Sequence, residues 1–198
     1  MNDRWILLDF DGIIVDSKPA LNIAYNEFLK QFGINGNKEE FDSLDGPTIK
    51  EIVLILKKKY SLDYDVNRLL EEYRKKVNDV YDRINLNENI EELLNELTNR
   101  HFGLGVVTSS DRIFVENILE KFSNEEFFKI FVFGNEVKVS KPDPEIYKVA
   151  IKKIGGKLEK ILAIEDSDNG YSSAINAGIK CKKIDPKERN ILEILSEL

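Results

Sequence analysis

Five short apolar runs constrain the fold of this 198-residue chain more than any other feature. The runs occupy 5-8, 103-108, 130-133, 161-164 and about 181-184, and helical patterns lie between them at 88-99, 111-122, 143-154 and 168-177. Strands of a parallel sheet read as continuous apolar runs because helices cover both faces of the sheet. The alternation therefore predicts an α/β fold built on a Rossmann-like parallel sheet.

The segment from 17 to 84 interrupts this alternation. Helical patterns occur near 18-32, 47-60 and 65-83, and apolar residues in the first of them repeat at helical spacing. We therefore predict two domains. The α/β core comprises 1-16 and 85-198, and a small α-helical domain, 17-84, is inserted after the first strand. We call 17-84 the helical insertion.

Composition and charge indicate which classes of binding partner to expect. The formal net charge is −7, whereas a nucleic-acid-binding protein normally presents a basic face, so we expect no nucleic-acid partner. No apolar stretch approaches the roughly 20 residues that span a bilayer, and the N-terminus lacks a signal-peptide pattern. The single cysteine, Cys181, is compatible with a reducing compartment. We expect a cytoplasmic protein with no membrane association, and the sequence leaves a monomer and a homodimer equally open.

Polar residues follow four of the five apolar runs. They are Asp9 and Asp11 after the first, Thr108, Ser109 and Ser110 after the second, Lys141 after the third, and Glu165 and Asp166 after the fourth. Ligands of open parallel sheets bind beyond the carboxyl ends of the strands. The sequence therefore predicts that these side chains converge on one site.

The chemistry of this set favours phosphoryl transfer. Carboxylates held close together repel one another unless a cation offsets them, and oxygen ligands suit Mg²⁺. A metal ion and a lysine neutralise phosphoryl oxygens, a carboxylate can attack phosphorus, and a second acid can move protons. Each residue alone has an ordinary explanation, such as a turn or a helix cap. Their coincidence at strand ends favours a joint role.

Four segments of the chain resemble, in order and spacing, the motifs of the haloacid dehalogenase superfamily. They are Asp9 to Ser17, Val106 to Ser110, Lys141 to Tyr147, and Ile164 to Gly170. The resemblance covers the whole chain and implies a Mg²⁺-dependent phosphatase acting on a small phosphorylated metabolite. It is greatest to the branch that contains phosphoglycolate phosphatases and β-phosphoglucomutases.

The resemblance also implies roles for individual residues. Asp9 would attack phosphorus and bind Mg²⁺. Asp11 would protonate the leaving oxygen, later activate water, and contact the metal through its backbone carbonyl. Lys141 would bridge Asp9 and the phosphate. Further phosphate ligands would be Gly12, Thr108 and Ser109, and Glu165 and Asp166 would complete the metal site.

In this family a helical insertion at this place is a cap that covers the active site. The segment Asp45-Gly46-Pro47-Thr48 resembles the loop of such caps that faces the substrate, so Gly46, Pro47 and Thr48 are candidate substrate-binding residues. The same four residues are also an ordinary turn into a helix. Both interpretations remain open from the sequence.

Two alternative functions were weighed against the phosphatase. A phosphomutase of the β-phosphoglucomutase type would carry a histidine early in the cap, where this chain has Lys18 to Asn22, and a Lys/Arg pair in the cap loop. A non-catalytic protein that binds a phosphorylated ligand would have lost an acid, whereas Asp9 and Asp11 are both present. A dehalogenase would lack the second acid. In the first motif of this superfamily the position of Ile13 is frequently a threonine, so this chain departs from the motif there.

Overall fold

The computed structural model describes residues 4–185, 187 and 190–198. Its strands are β1 (Trp5–Leu8), β2 (Val15–Asp16), β3 (Asn85–Leu86), β4 (Gly103–Val107), β5 (Ile130–Val132), β6 (Ile161–Glu165) and β7 (Lys180–Lys183). Its α-helices are α1 (Lys18–Lys30), α2 (Lys38–Ser43), α3 (Ile49–Lys59), α4 (Val66–Asp79), α5 (Ile90–Asn99), α6 (Arg112–Phe122), α7 (Glu145–Ile154) and α8 (Asp168–Asn176). Short 3₁₀ turns connect several of these elements.

The five predicted strands form one parallel sheet in the order β5-β4-β1-β6-β7. Strand β1 lies in the middle, with β4 on one side and β6 on the other. The chain leaves β1 and builds the sheet in both directions from it. The carboxyl ends of β1, β4 and β6 therefore meet at the centre of the sheet edge, where α/β proteins place their ligands. The predicted fold class is confirmed.

The side chains of β1 contribute alternately to two clusters of the hydrophobic core. Ile6 and Leu8 belong to a cluster that includes apolar residues of α5 and α6, whereas Leu7 belongs to a second cluster with residues of α7 and α8. Successive side chains of a strand point to opposite faces. The sheet is therefore covered on both sides, which explains the continuous apolar runs.

The helical insertion contains four α-helices, one more than the pattern predicts. Helix α2 is only six residues long, too short to show a helical period, and the Asn37 side chain caps it by accepting a hydrogen bond from the Glu40 amide. The third predicted helix, 65-83, ends earlier, at Asp79, and a 3₁₀ turn follows it. Helix α4 packs against α1 and α3, with Tyr73 and Phe28 in edge-to-face contact.

The chain enters and leaves the helical insertion through a short antiparallel ribbon. Val15 pairs with Leu86, and Asp16 pairs with Asn85. The Asn87 side-chain amide donates hydrogen bonds to the Gly12 and Ile13 carbonyls, at 2.8 and 2.9 Å. These hydrogen bonds hold the two connecting segments next to each other, beside the loop that follows β1. The division into two domains at 16/17 and 84/85 stays a prediction.

Within the described part of the chain, none of the helices combines the length and the apolar character that crossing a bilayer requires.

Candidate active site

The edge of the sheet carries the predicted polar residues. Asp9 follows β1, Thr108 follows β4, and Glu165 is the last residue of β6. The Asp9 amide donates to the Ile164 carbonyl at 2.9 Å, so the backbone of Asp9 is still held by the sheet. These three side chains are buried, which places carboxylates and a hydroxyl in a site of low dielectric constant.

Lys141 lies between two of the buried carboxylates. Its Nζ donates to Asp9 Oδ1 at 3.0 Å, to Glu165 Oε1 at 2.7 Å and to the Val107 carbonyl at 3.1 Å. Burial lowers the pKa of Lys141, but the charges of Asp9 and Glu165 outweigh burial and raise it overall. The lysine is therefore a fixed positive charge in contact with Asp9.

Asp9, Glu165 and Asp166 form a compact acidic cluster. One carboxylate oxygen from each lies within 4.8 Å of the others. Glu165 Oε2 and Asp166 Oδ1 are buried and accept no hydrogen bond within the described residues. Burial, followed by the charge of Asp9, raises the pKa of Asp166 to about 7 and that of Glu165 well above its usual value. Unpaired buried carboxylate oxygens are costly, and a divalent cation with oxygen ligands would satisfy them. The cluster therefore fits a metal ion.

Two glycines allow the carboxylates of this cluster to approach the backbone. A Cβ atom on Gly12 would overlap the Asp166 carboxylate, and one on Gly170 would overlap that of Glu165. Gly12 also has a φ of +86°, a conformation that disfavours other residues. The packing therefore requires glycine at both positions. Gly12 was expected to bind phosphate, and that role stays a prediction.

The Asp11 side chain is held outside the acidic cluster by two serines. The Ser17 hydroxyl donates to Asp11 Oδ1 at 2.5 Å, and the Ser110 hydroxyl donates to Oδ2 at 2.6 Å. Burial raises the pKa of Asp11, although both hydrogen bonds act in the opposite direction. Ser17 lies at the entry to the helical insertion and Ser110 follows β4, so Asp11 connects the two regions. Its predicted contact with a metal stays a prediction.

Tyr147 is a site residue that the sequence did not reveal. It lies in α7, is fully buried, and donates its hydroxyl to Glu165 Oε1. Together with Lys141 it holds this oxygen, which leaves Oε2 as the unpaired atom. In the sequence Tyr147 closes the third motif segment, and no role was predicted for its hydroxyl. Only the packing of α7 against the sheet shows that its hydroxyl meets a carboxylate.

Lys18 joins the helical insertion to the acidic cluster. Its Nζ is 2.7 Å from Asp166 Oδ2 and 3.0 Å from Asp45 Oδ2. The Lys18 side chain is 43% exposed, yet it has two ion-pair partners and lies on the cavity wall. The sequence places Lys18 at the start of the helical insertion but does not reveal these partners.

The loop 45–48 contacts the core on both sides. The Ser109 hydroxyl donates to the Gly46 carbonyl at 2.5 Å, and the Asn169 amide donates to the Asp45 carbonyl at 2.6 Å. Thr48 caps α3 in a reciprocal arrangement with Glu51, in which its hydroxyl is within 2.7 Å of the carboxylate. Gly46 and Pro47 line the cavity, and Thr48 does not. The substrate-binding roles of these residues stay predictions.

A cavity of about 220 Å³ lies between the sheet edge and the helical insertion. Asp9, Asp11, Thr108, Ser109 and Lys141 line one end of it. The other end is lined mainly by apolar side chains of the helical insertion. Most of the residues predicted from strand ends therefore line one cavity that a small molecule can enter, whereas Glu165 and Asp166 are not among its lining residues.

Known proteins are similar to this chain in sequence and in fold. A phosphorylated carbohydrates phosphatase from Thermotoga maritima is 27% identical over 180 residues, 88% of this chain and 82% of that protein. The pyrophosphatase PpaX of Oceanobacillus iheyensis is 24% identical, over 91% of this chain and 82% of its own. The crystal structure of CbbY from Rhodobacter sphaeroides in complex with phosphate superposes with a TM-score of 0.81 at 24% identity, covering 91% of this chain and 85% of that one.

The family match extends through all four motifs. The model of the haloacid dehalogenase-like hydrolases matches residues 6–184, which include the helical insertion and, apart from Trp5, all residues of the five parallel strands. The resemblance stated from the four motifs is thereby confirmed. This chain belongs to the haloacid dehalogenase-like hydrolase family.

Proposed function

We propose that the protein is a phosphatase that hydrolyses a small phosphate monoester with Mg²⁺, through a phosphoryl group carried transiently on Asp9. The observation that supports this most is the acidic cluster with its two unpaired oxygens, beside a carboxylate that a buried lysine contacts. The names of the two relatives, both phosphatases in the wide sense, agree with this reaction class.

The contacts of Asp9 support the proposal that it is the nucleophile. Its Oδ1 accepts hydrogen bonds from the Phe10 amide at 2.8 Å and from Lys141 at 3.0 Å. Of the described residues, none donates to Oδ2. These contacts fix the orientation of the carboxylate and leave one oxygen available to attack phosphorus.

We infer that Asp11 transfers protons in both steps of the proposed reaction. Burial favours its protonated form, which is the form that donates a proton to the leaving oxygen. Once it has lost the proton, the carboxylate can accept one from the water that attacks the phosphoryl group on Asp9. The Ser17 and Ser110 hydroxyls hold Asp11 through both steps and are ready to stabilise the ionised form.

Asp9, Glu165 and Asp166 would hold the Mg²⁺ ion. Bound there, the ion would supply positive charge against the oxygens of the transferring phosphoryl group. Lys141 supplies a second positive charge from the protein, and the Thr108 hydroxyl and the Ser109 backbone N–H would offer hydrogen-bond donors. The helical insertion, acting as a cap, would exclude bulk water from this end of the cavity.

The test is release of inorganic phosphate from a panel of small phosphate monoesters in the presence of Mg²⁺. Wild-type protein should release phosphate, and Asp9→Asn should not, with an unchanged circular dichroism spectrum. Chelation of the metal should stop the reaction. Full activity of Asp9→Asn would refute the nucleophile, and turnover in excess chelator would refute the metal.

A further inference from the structure

We propose that the leaving group of the substrate is uncharged and largely apolar, as in an alkyl or aryl phosphate. This inference rests on the phosphatase function proposed above and names its substrate class. It sets the enzyme apart from one that selects phosphoglycolate, pyrophosphate or a sugar bisphosphate, because each of those leaving groups carries an additional negative charge.

Apolar side chains predominate among the residues of the helical insertion that line the cavity. Leu21 of α1, Phe41 of α2, and Ile49 and Ile52 of α3 line it from the helical insertion. Ile84 and Phe114 continue the same surface. A leaving group that extends from the phosphoryl site into this region would contact apolar side chains. The hydrophobic effect favours an apolar group at such a surface, because binding removes it from water.

The cations that line the cavity are already paired. Among the described lining residues they are Lys18 and Lys141. Lys18 contacts Asp45 and Asp166, and Lys141 contacts Asp9 and Glu165. None of the described cavity-lining residues therefore offers a second anion a positive charge that lacks a partner.

Acids outnumber bases among the side chains that line the cavity, which disfavours an anionic leaving group. Asp42 and Asp45 line it from the helical insertion, where Lys38 and Lys18 are their respective ion-pair partners. A carboxylate or a second phosphate would lose part of its hydration beside apolar walls and would face these acids as well. An uncharged leaving group has neither penalty.

The size of the cavity limits the leaving group. An apolar cavity of about 150 Å³ accommodates a benzene-sized molecule. The cavity of about 220 Å³ found here therefore fits a phosphoryl group together with a leaving group of about six carbon atoms.

A homologous series of alkyl phosphates tests the apolar wall. Ethyl, butyl and hexyl phosphate differ in buried carbon and scarcely in leaving-group acidity. Each buried methylene is worth about fourfold, so allowing for incomplete burial we expect kcat/KM for hexyl phosphate to exceed that for ethyl phosphate about 30-fold. Phosphoglycolate and pyrophosphate should be poorer substrates than hexyl phosphate. If either exceeds it, or the alkyl series is flat, the proposed substrate class is wrong.

A charge placed on the wall provides a matched comparison. Ile52 is half-buried and lines the cavity, whereas Ile55 lies on the same helix, is 43% exposed and does not line it. Ile52→Lys should lower kcat/KM for hexyl phosphate at least about tenfold and raise it for phosphoglycolate. Ile55→Lys should change neither. Equal effects of the two variants would contradict the proposal.

Binding to Asp9→Asn separates this inference from the proposed function. We would titrate the variant calorimetrically with hexyl phosphate and with phosphoglycolate, each with Mg²⁺. Tighter binding of hexyl phosphate supports the ligand class, even if wild-type protein turns over neither compound and the phosphatase proposal fails. Tighter binding of phosphoglycolate overturns the ligand class, even if phosphate release proves the phosphatase.

Discussion

The two ends of the cavity are built by different means. At the core end, strand termini deliver Asp9, Thr108 and Glu165 to fixed positions, and buried ion pairs with Lys141 hold the two carboxylates. At the opposite end, helices of the insertion present apolar side chains such as Leu21 and Ile52. The core end carries groups that suit phosphoryl transfer, and the insertion end carries surface that would distinguish leaving groups.

The two ends of the cavity should respond differently to substitution. The positions of the charged groups at the core end depend on the geometry of the sheet. A shift of one strand would separate the carboxylates from Lys141. Side chains at the insertion end line a helical surface, where one substitution changes size or charge without disturbing the sheet. We therefore expect changes at the core end to affect all substrates alike, and changes at the insertion end to affect them unequally.

Lys141→Met should have the largest effect. It removes the positive charge beside Asp9 and leaves two buried carboxylates without their partner. We expect kcat to fall about 10³-fold for ethyl and hexyl phosphate alike, as when a transition-state charge partner is lost. Steady-state kinetics with both substrates measures this.

The control for that variant is Lys152→Met on the exposed face of α7, which should leave kcat unchanged. Circular dichroism of Lys141→Met confirms that the fold is retained. A decrease in kcat for hexyl phosphate alone would contradict the proposal that the core end of the cavity affects all substrates alike.

Gly12→Ala should disturb the acidic cluster and the stability of the protein together. The added methyl group would overlap the Asp166 carboxylate, and Gly12 has a φ of +86°. We expect a loss of about 2 kcal/mol in the free energy of unfolding and weaker Mg²⁺ binding. Chemical denaturation and metal titration measure the two effects.

Gly33→Ala separates backbone strain from contact with the carboxylate. Gly33 also has a positive φ, of +72°, but a Cβ there would meet nothing within 4 Å. This variant should lose about 1 kcal/mol of stability and keep its Mg²⁺ affinity. Equal metal affinities in the two variants would argue against Asp166 as a ligand.

Tyr147→Phe should weaken metal binding about tenfold while keeping the fold. The lost hydroxyl donates to Glu165, and hydrogen bonds that orient metal ligands typically contribute this much to affinity. Calorimetric titration with Mg²⁺ measures the change. Tyr171→Phe, at a residue that is 39% exposed, is the control. An unchanged affinity in Tyr147→Phe would show that Glu165 needs no support from α7.

Leu21→Ala should have the smallest effect and only at the insertion end. The truncation removes part of the apolar wall, so we expect kcat/KM for hexyl phosphate to fall about fivefold. The value for ethyl phosphate, which does not reach this surface, should stay the same. A uniform decrease for both substrates would show that Leu21 acts on the chemistry or the fold instead.

The sequence predicted best what depends on local pattern. Asp9, Thr108 and Glu165 follow apolar runs that form central strands, and parallel strands bring such ends together, so their convergence could be expected. Tyr147 and Lys18 could not be found in this way, because the direction of a helical side chain depends on how the helix packs. The apolar wall was also missed, since the facing of the insertion's helices is set by tertiary contacts.

Element boundaries show the same limit. Strand β1 occupies the predicted 5-8, because a polar residue at once follows the apolar run. Helix α2 has only six residues and offers no period to detect. Helix α4 ends four residues before the predicted 83, where the chain turns toward β3. A continuous apolar run with a sharp polar end therefore predicts the bounds of a strand, whereas the bounds of short connecting elements depend on their surroundings.

The most direct test of the account is to trap the phosphoryl group on the protein. Wild-type protein turning over hexyl phosphate with Mg²⁺ would be quenched in acid, digested, and analysed by peptide mass spectrometry. The account predicts a phosphoryl group on the peptide that contains Asp9, and none in Asp9→Asn. Phosphate release without any such peptide, or a phosphoryl group on another residue, would contradict it.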